Sequence, residues 1–525
     1  MLFGCGVLYV IASALLASRG GAFFQTIPSA LPIILVALVS IPHYGATLLR
    51  VYDKRSDRRT YLVFSVLATA LIVAVFGVSL IDRWTGSVLA TVYMTWAGWH
   101  YTGQNYGIAM MFLRRRGIEP IPLIRRALYG SFLLSYLLVF LVMHGQQLPV
   151  ADPSLEIRLI PLAIPEIASE LLVPLVGIAY LATTLAAAGL LLRHARRIGD
   201  LLPTLTIVLV QALWWSMPYA SRHFDAFSDV VPLGADFRSG FFTWVALAHA
   251  AQSLWISSYY SRAAPGWDGQ WRYYGRVLLA GTAIWTLPAI AFAPGANEFD
   301  WNFALLLAAA VNVHHFVLDG AIWKLRHTRI ARILIADGID ATTEVRNKGL
   351  IRAGVWAVAA LSLVLAIGSL ADRFLVFPAA MKSGRLAAAA DSLDRQATLG
   401  LTDSVSRFRL GRRFEAIDEL DKASAQYELS AKQTPRFEPF RRLIAIYDRT
   451  KNTEGFIRSC DGLFELSSVR SQSTTPDPRR RAFAAFRDDC VRVAQAARAS
   501  QGRPAAAVAN TRQDRQTLNP LVRYE

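Results

Sequence analysis

At 525 residues, with 54% hydrophobic content and a mean hydropathy of +0.34, the chain is too apolar for a soluble protein of this size. A formal net charge of +17 ordinarily suggests nucleic acid, but most of the basic residues fall in short loops between apolar runs, which excludes that partner. Cys5, Cys460 and Cys490 form no CxxC pair, which excludes a cysteine-based zinc or iron–sulfur framework.

Apolar runs fill the chain to residue 377, and the remainder is polar and arginine-rich. The pattern predicts an all-α protein in four parts. Residues 1–377 form a polytopic helical membrane bundle, 378–470 a soluble helical-repeat domain, 471–499 a linker and terminal helix, and 500–525 a disordered tail. A span needs roughly 20 mostly apolar residues. Candidate spans fall at 2–18, 28–48, 60–82, 87–112, 127–144, 170–192, 201–219, 240–260, 277–293, 302–324 and 350–376, about eleven in all. No basic residue precedes the first run, so it reads as an uncleaved span rather than a signal peptide. Lys and Arg number 23 in one set of loops and five in the alternate set. That asymmetry places the N-terminus in the cytoplasm and the C-terminal domain on the far side of the inner (plasma) membrane. The long loop at 145–169, punctuated by prolines, reads as a connector lying against the outer interface.

Within the tenth span, 311–324 reads VNVHHFVLDGAIWK. Polar side chains at lipid depth are costly unless they face a protein interior. Asn312, His315 and Asp319 share one helical face, and His314 lies about 100° round from His315. Three other spans carry matching groups: His43; His100 with Tyr101 and Gln104; and His249 with Gln252. By the loop charges these four spans run in one direction and hold their histidines between midplane and cytoplasmic side. The shared depth predicts a buried metal site with His43, His100, His249, His314 and His315 as ligands. Gln104, Gln252 and Asn312 are placed to orient the imidazoles through hydrogen bonds. Asp319 is a further ligand or a catalytic acid, and Tyr101 a catalytic candidate beside the reacting centre. Gly98, Gly103, Gly107 and Gly320 are read as small residues that allow close helix approach.

Imidazole-rich ligation with at most one carboxylate suits iron, copper or zinc. In kind the set resembles the sites of histidine-rich membrane non-haem iron oxygenases, though a lone HH stands where desaturases repeat HxxxH and HxxHH clusters. The resemblance implies non-haem iron, dioxygen chemistry and a lipidic or other apolar substrate. Haem is the alternative cofactor, with histidines as axial ligands and Trp96, Trp99, Trp255 and Trp323 as walls. Competing functions are a proton-coupled transporter and a scaffold acting through its repeat domain. A polytopic glycosyltransferase would place carboxylates in the first outer loop, and 18–26 holds none.

In the tail, 410–435 reads LGRRFEAIDELDKASAQYELSAKQTP. It resembles a tetratricopeptide repeat, with Leu410, Gly411, Phe414, Ala423, Tyr427 and Pro435 at the preferred positions and Ser430 where alanine is usual. The resemblance implies stacked helix pairs and a concave surface for a protein or peptide. Placed outside the cell, Cys460 and Cys490 are expected to pair.

Overall fold

A computed structural model describes residues 6–11, 30–52, 63–145, 159–195, 197–216, 237–263, 267–292, 303–322, 350–401, 403–433, 437–470, 490 and 492–493. Its elements are all helical. Among the described residues there is no strand, only a single bridge between Gly145 and Ile164. Apolar runs form helices because only a helix or a closed barrel satisfies every backbone group inside a bilayer.

Among the described residues, ten helices make up the apolar part, besides a short helical stretch at 7–11. They are α1 (30–52), α2 (Val63–Ser79), α3 (Arg83–Arg115), α4 (Pro122–His144), α5 (Glu166–His194), α6 (Ile198–Trp215), α7 (Phe237–Arg262), α8 (Gln270–Phe292), α9 (Phe303–Ile322) and α10 (350–382). Seven of them, α1, α4, α5, α6, α8, α9 and α10, are long and apolar enough to cross a membrane. Eleven spans were expected. The difference has identifiable sources: α2 is short, and most of 2–18 lies outside the described residues. Helices α3 and α7 are long but diluted by polar residues such as His100, Gln104, Asn105, His249 and Gln252.

Two helices mark the extremes of environment. On α5, Leu171, Ile178 and Leu185 are each more than 60% exposed and fall seven residues apart, an apolar stripe suited to lipid. On α9, fifteen of twenty residues are buried, including Asn312, His314, His315 and Asp319. It is the inner helix of the bundle, packed against α1, α2, α3 and α8.

Helices α1 and α8 cross backbone on backbone. A Cβ on Gly45 would lie 1.8 Å from the Val277 carbonyl oxygen, and one on Gly281 would lie 2.0 Å from that of Ile41. Small residues at a crossing are what allow helices to approach this closely in lipid. Just before the crossing, Val36–Ser40 is π-helical. Pro42 has no N–H to offer the carbonyl four residues back, which is that of Leu38. The Tyr274 hydroxyl donates to this oxygen at 2.6 Å, so α8 makes good what proline removes from α1.

After α10 come shorter, charged helices: α11 (Leu386–Ala397), α12 (Ser404–Ala416), α13 (Leu420–Gln433), α14 (Phe437–Arg449) and α15 (Thr453–Arg470). Asp403 caps α12 by accepting from the Val405 and Ser406 amides. Successive helices pack around Leu410, Phe414, Tyr427, Ile444 and Phe456. The Tyr427 ring lies so close to Gly411 that a Cβ there would sit 2.7 Å from it. Burial, with the Glu415 carboxylate accepting its hydroxyl, pushes the Tyr427 phenol above its ordinary range. Cys460 on α15 is disulfide-bonded to Cys490. Pro435, the linker 471–481, most of the terminal helix at 482–499 and the tail 500–525 lie outside the described residues.

Candidate metal centre

Four helices bring His43 (α1), His100 (α3), His249 (α7) and His315 (α9) together. Ring centroids lie 4.2 Å apart for His43–His315, 4.9 Å for His43–His249 and for His100–His249, and 5.3 Å for His100–His315. One ligand atom each from His43, His249 and His315 falls within 4.8 Å of the others, and the same holds for His100, His315 and Asp319. His315 belongs to both groups. Asp319 Oδ2 lies 3.4 Å from His315 Nε2 and 3.9 Å from His100 Nε2, without hydrogen-bond geometry to either.

The four helices run in one sense. Along α1 and α7, His43 meets His249 and Arg50 meets Tyr260; along α3 and α9, Trp96 meets Phe316 and His100 meets Asp319. Between α1 and α9, two hydrogen bonds set the register. The Tyr44 hydroxyl donates to Asn312 Oδ1 and the Thr47 hydroxyl to Asp319 Oδ1, each at 2.7 Å. On α9 these bonds bracket His315, and on α1 they follow directly after His43. Thr47 also fixes one carboxylate oxygen and leaves Oδ2 turned toward the imidazoles.

The decisive feature is what the rings lack. Both nitrogens of His43, His249 and His315, and Nε2 of His100, are buried without a hydrogen-bond partner among the described residues. Each buried unsatisfied group costs about 1–3 kcal/mol, so seven of them stand on the order of 10 kcal/mol, comparable to the whole stability of a domain. Histidines that served only to join helices would be paired with one another or with neighbouring amides. Each neutral imidazole keeps one lone-pair nitrogen to offer, and the two groups that share His315 could hold a cation.

Several sequence expectations are corrected by this geometry. His314 does not join the cluster: its Nε2 is 2.9 Å from Thr69 Oγ1 on α2, because the 100° step along α9 turns it away from His315 and toward α2. The three amides do not hold imidazole nitrogens. Gln104 Nε2 donates to the Gln252 side chain and to the His249 carbonyl, tying α3 to α7 through backbone instead. Asn312 is taken by Tyr44 and by the Ala308 carbonyl of its own helix. Tyr101 packs its ring 4.3 Å from that of His249, behind the cluster, and does not line the adjoining cavity. Trp96 and Trp255 pack on Phe316 and Phe112, and Trp323 lies outside the described residues. Thr47 and Thr69 were not anticipated, since a lone threonine in an apolar run has no distinguishing local signal.

A cavity of about 330 Å³ adjoins the cluster between α3, α7 and α9, with His100 and Asp319 in its wall. A second buried polar cluster lies further along α3. Gln211 of α6 donates to Thr102 and Ser135 and accepts from Asn105, which binds α3, α4 and α6 into one network. No family model, no curated protein and no solved structure matches this chain.

Proposed function

We infer that the protein is an integral-membrane, metal-dependent oxidoreductase that acts on a lipidic or similarly apolar substrate. The observation that carries this reading is the meeting of His43, His100, His249 and His315, whose buried ring nitrogens find no hydrogen-bond partner among the described residues, in two candidate ligand groups that share His315. His43, His100, His249 and His315, with Asp319, would hold the ion. Four imidazoles and one carboxylate suit iron, with copper and zinc as poorer fits to a mixed nitrogen and carboxylate set. Such an ion supplies dioxygen activation or Lewis acidity at a site shielded from water.

The chain's own residues supply the rest. Thr47 orients the Asp319 carboxylate, and Tyr44 holds Asn312 and thereby the register of α9. Gln104 fixes α7 at the level of His249. The cavity wall presents His100 and Asp319 among mostly apolar neighbours, so an apolar molecule reaches the centre without bringing bulk water. With the four imidazoles packed ring on ring, a macrocycle has no gap between any facing pair, which favours a bare ion over haem. The arginine-rich loops support an N-terminus in the cytoplasm and C-terminal helices outside, and the Cys460–Cys490 disulfide is in keeping with that side. Helices α12 and α13, with Gly411 against Tyr427, are in keeping with a tetratricopeptide-like repeat that docks a protein partner.

Metal analysis and an absorption spectrum of the purified full chain test the proposal. Iron near stoichiometry without a Soret band is expected, and alanine at His249 should remove it while alanine at His144 should not. His144 instead accepts from the Leu162 amide and meets Thr95, away from the cluster. A Soret band, or metal content indifferent to His249, overturns the reading.

A further inference from the structure

Gly103 and Gly107 on α3 and Gly320 on α9 have no atom within 4 Å of where a Cβ would stand. Gly98 differs: a Cβ there would meet the Tyr136 ring at 2.7 Å, so close packing requires it. Glycine in a helix interior costs about 0.5–1 kcal/mol relative to alanine, and what the other three leave in return is open space. Two of these, Gly103 and Gly107, lie on the cavity stripe of α3, and Gly320 faces them. The stripe runs from Trp96 to Met111, about 22 Å at 1.5 Å per residue. A volume of about 330 Å³ spread over that length makes a slot rather than a chamber. Trp99, Gly103 and Gly320 are exposed and form its mouth, with Trp99 and Gly103 in the middle of α3 and Gly320 near the end of α9. About one helical turn from the Trp96 end, the partnerless His100 Nε2 and the buried Asp319 are the charged or titratable groups of the wall. One end is walled by Trp96 and Phe316, the other by Met111 and Ile256.

We propose that this slot is a lateral site for the fatty acyl chain of a membrane lipid. The chain enters between α3 and α9 past Trp99 and lies over Gly103 and Gly107. An internal carbon, rather than the headgroup, then stands at His100 and Asp319. Among the described residues no lysine or arginine lines the slot to hold a phosphate, whereas a polymethylene chain asks little of the wall but room. The chemistry at that carbon rests on the metal reading above; the binding of the chain does not.

The test uses the full protein in phosphatidylcholine nanodiscs containing a phosphatidylcholine with a mid-chain diazirine on its palmitoyl group. After photolysis, adducts are mapped by peptide mass spectrometry. Adducts should concentrate on 99–111 and 253–256 over the lipid-facing stripe of α5. Gly107→Leu should lower them about tenfold, the effect of a blocked apolar pocket, with metal content unchanged. His100→Ala should lose metal and keep the adducts, which separates failure of the metal reading from failure of the slot. Should Gly107→Leu itself lose metal, Gly103→Leu blocks the slot at its mouth and Gly107→Ala fills it in a smaller step. Adducts unchanged across all three, or no richer than on Leu171, Ile178 and Leu185, overturn the proposal. So does their displacement by a polyisoprenol at concentrations where added phosphatidylcholine has no effect.

Discussion

Helix α3 carries two buried polar clusters less than three turns apart, and they differ in kind. Around Gln211, donors and acceptors find each other across α3, α4 and α6, and Asn105 Oδ1 is the one atom left without a partner. Around His315, Tyr44 is matched with Asn312 and Thr47 with Asp319, while the rings, and Gln252 Nε2 beside His249, find no partner among the described residues. The first arrangement is what joins helices in lipid, where a polar group's alternative to a protein partner is hydrocarbon. The second pairs its supports and leaves its centre open. Burial and polarity are the same in both; satisfaction of the donors separates glue from site.

The comparison breaks most sharply under paired substitutions. His315→Ala should abolish bound metal, because His315 belongs to both candidate ligand groups, whereas Gln211→Leu should leave metal content at the wild-type level. Metal loss in both variants, or in neither, would remove the distinction. Next in size is Gly281→Ala. Its Cβ meets the Ile41 backbone, which has no rotamer to yield, so α1 and α8 must separate and carry His43 out of register. Reduced metal content together with a lowered melting temperature is expected, and wild-type behaviour would mean that the crossing does not position the site.

Thr47→Val keeps the volume and removes the donor to Asp319. Losses of about 10-fold in metal affinity are typical for such supporting bonds, and competition with a chelator measures them. An unchanged affinity would show that Asp319 needs no orientation. Gln211→Leu should itself destabilise by about 1–3 kcal/mol, since it strands Thr102, Ser135 and Asn105. A thermal melt in detergent reads this as a loss of a few degrees. His314→Ala is the mildest: it removes the contact with Thr69 and should leave metal untouched, although His314 is the neighbour of a proposed ligand.

Much of this was legible in the sequence because membrane helices are read by exception. His43, His100, His249 and His315 stand out as polar groups in apolar runs, and their common depth already implied convergence. What local pattern does not carry is azimuth and partner choice. His314 and His315 are equivalent as letters; only the packing of α2 against α9 sends one to Thr69. Gln104 and Gln252 sit one turn from their histidines, yet across the α3–α7 contact they meet each other, a match fixed by the helix crossing. Gly103 and Gly98 look alike in sequence, and one opens a slot while the other admits the Tyr136 ring. The span count fell short for a related reason. Helices α3 and α7 carry the polar residues of the candidate site in their middle turns, and that polarity lowers their resemblance to ordinary spans.

X-ray absorption at the metal edge of the purified full chain bears most directly on whether imidazoles from four helices share one ion. A first shell of nitrogen and oxygen, with the outer-shell scattering of several imidazoles that diminishes in His249→Ala, is the predicted result. A shell of oxygens alone, a sulfur contribution, or a protein that binds no metal under any loading would contradict it.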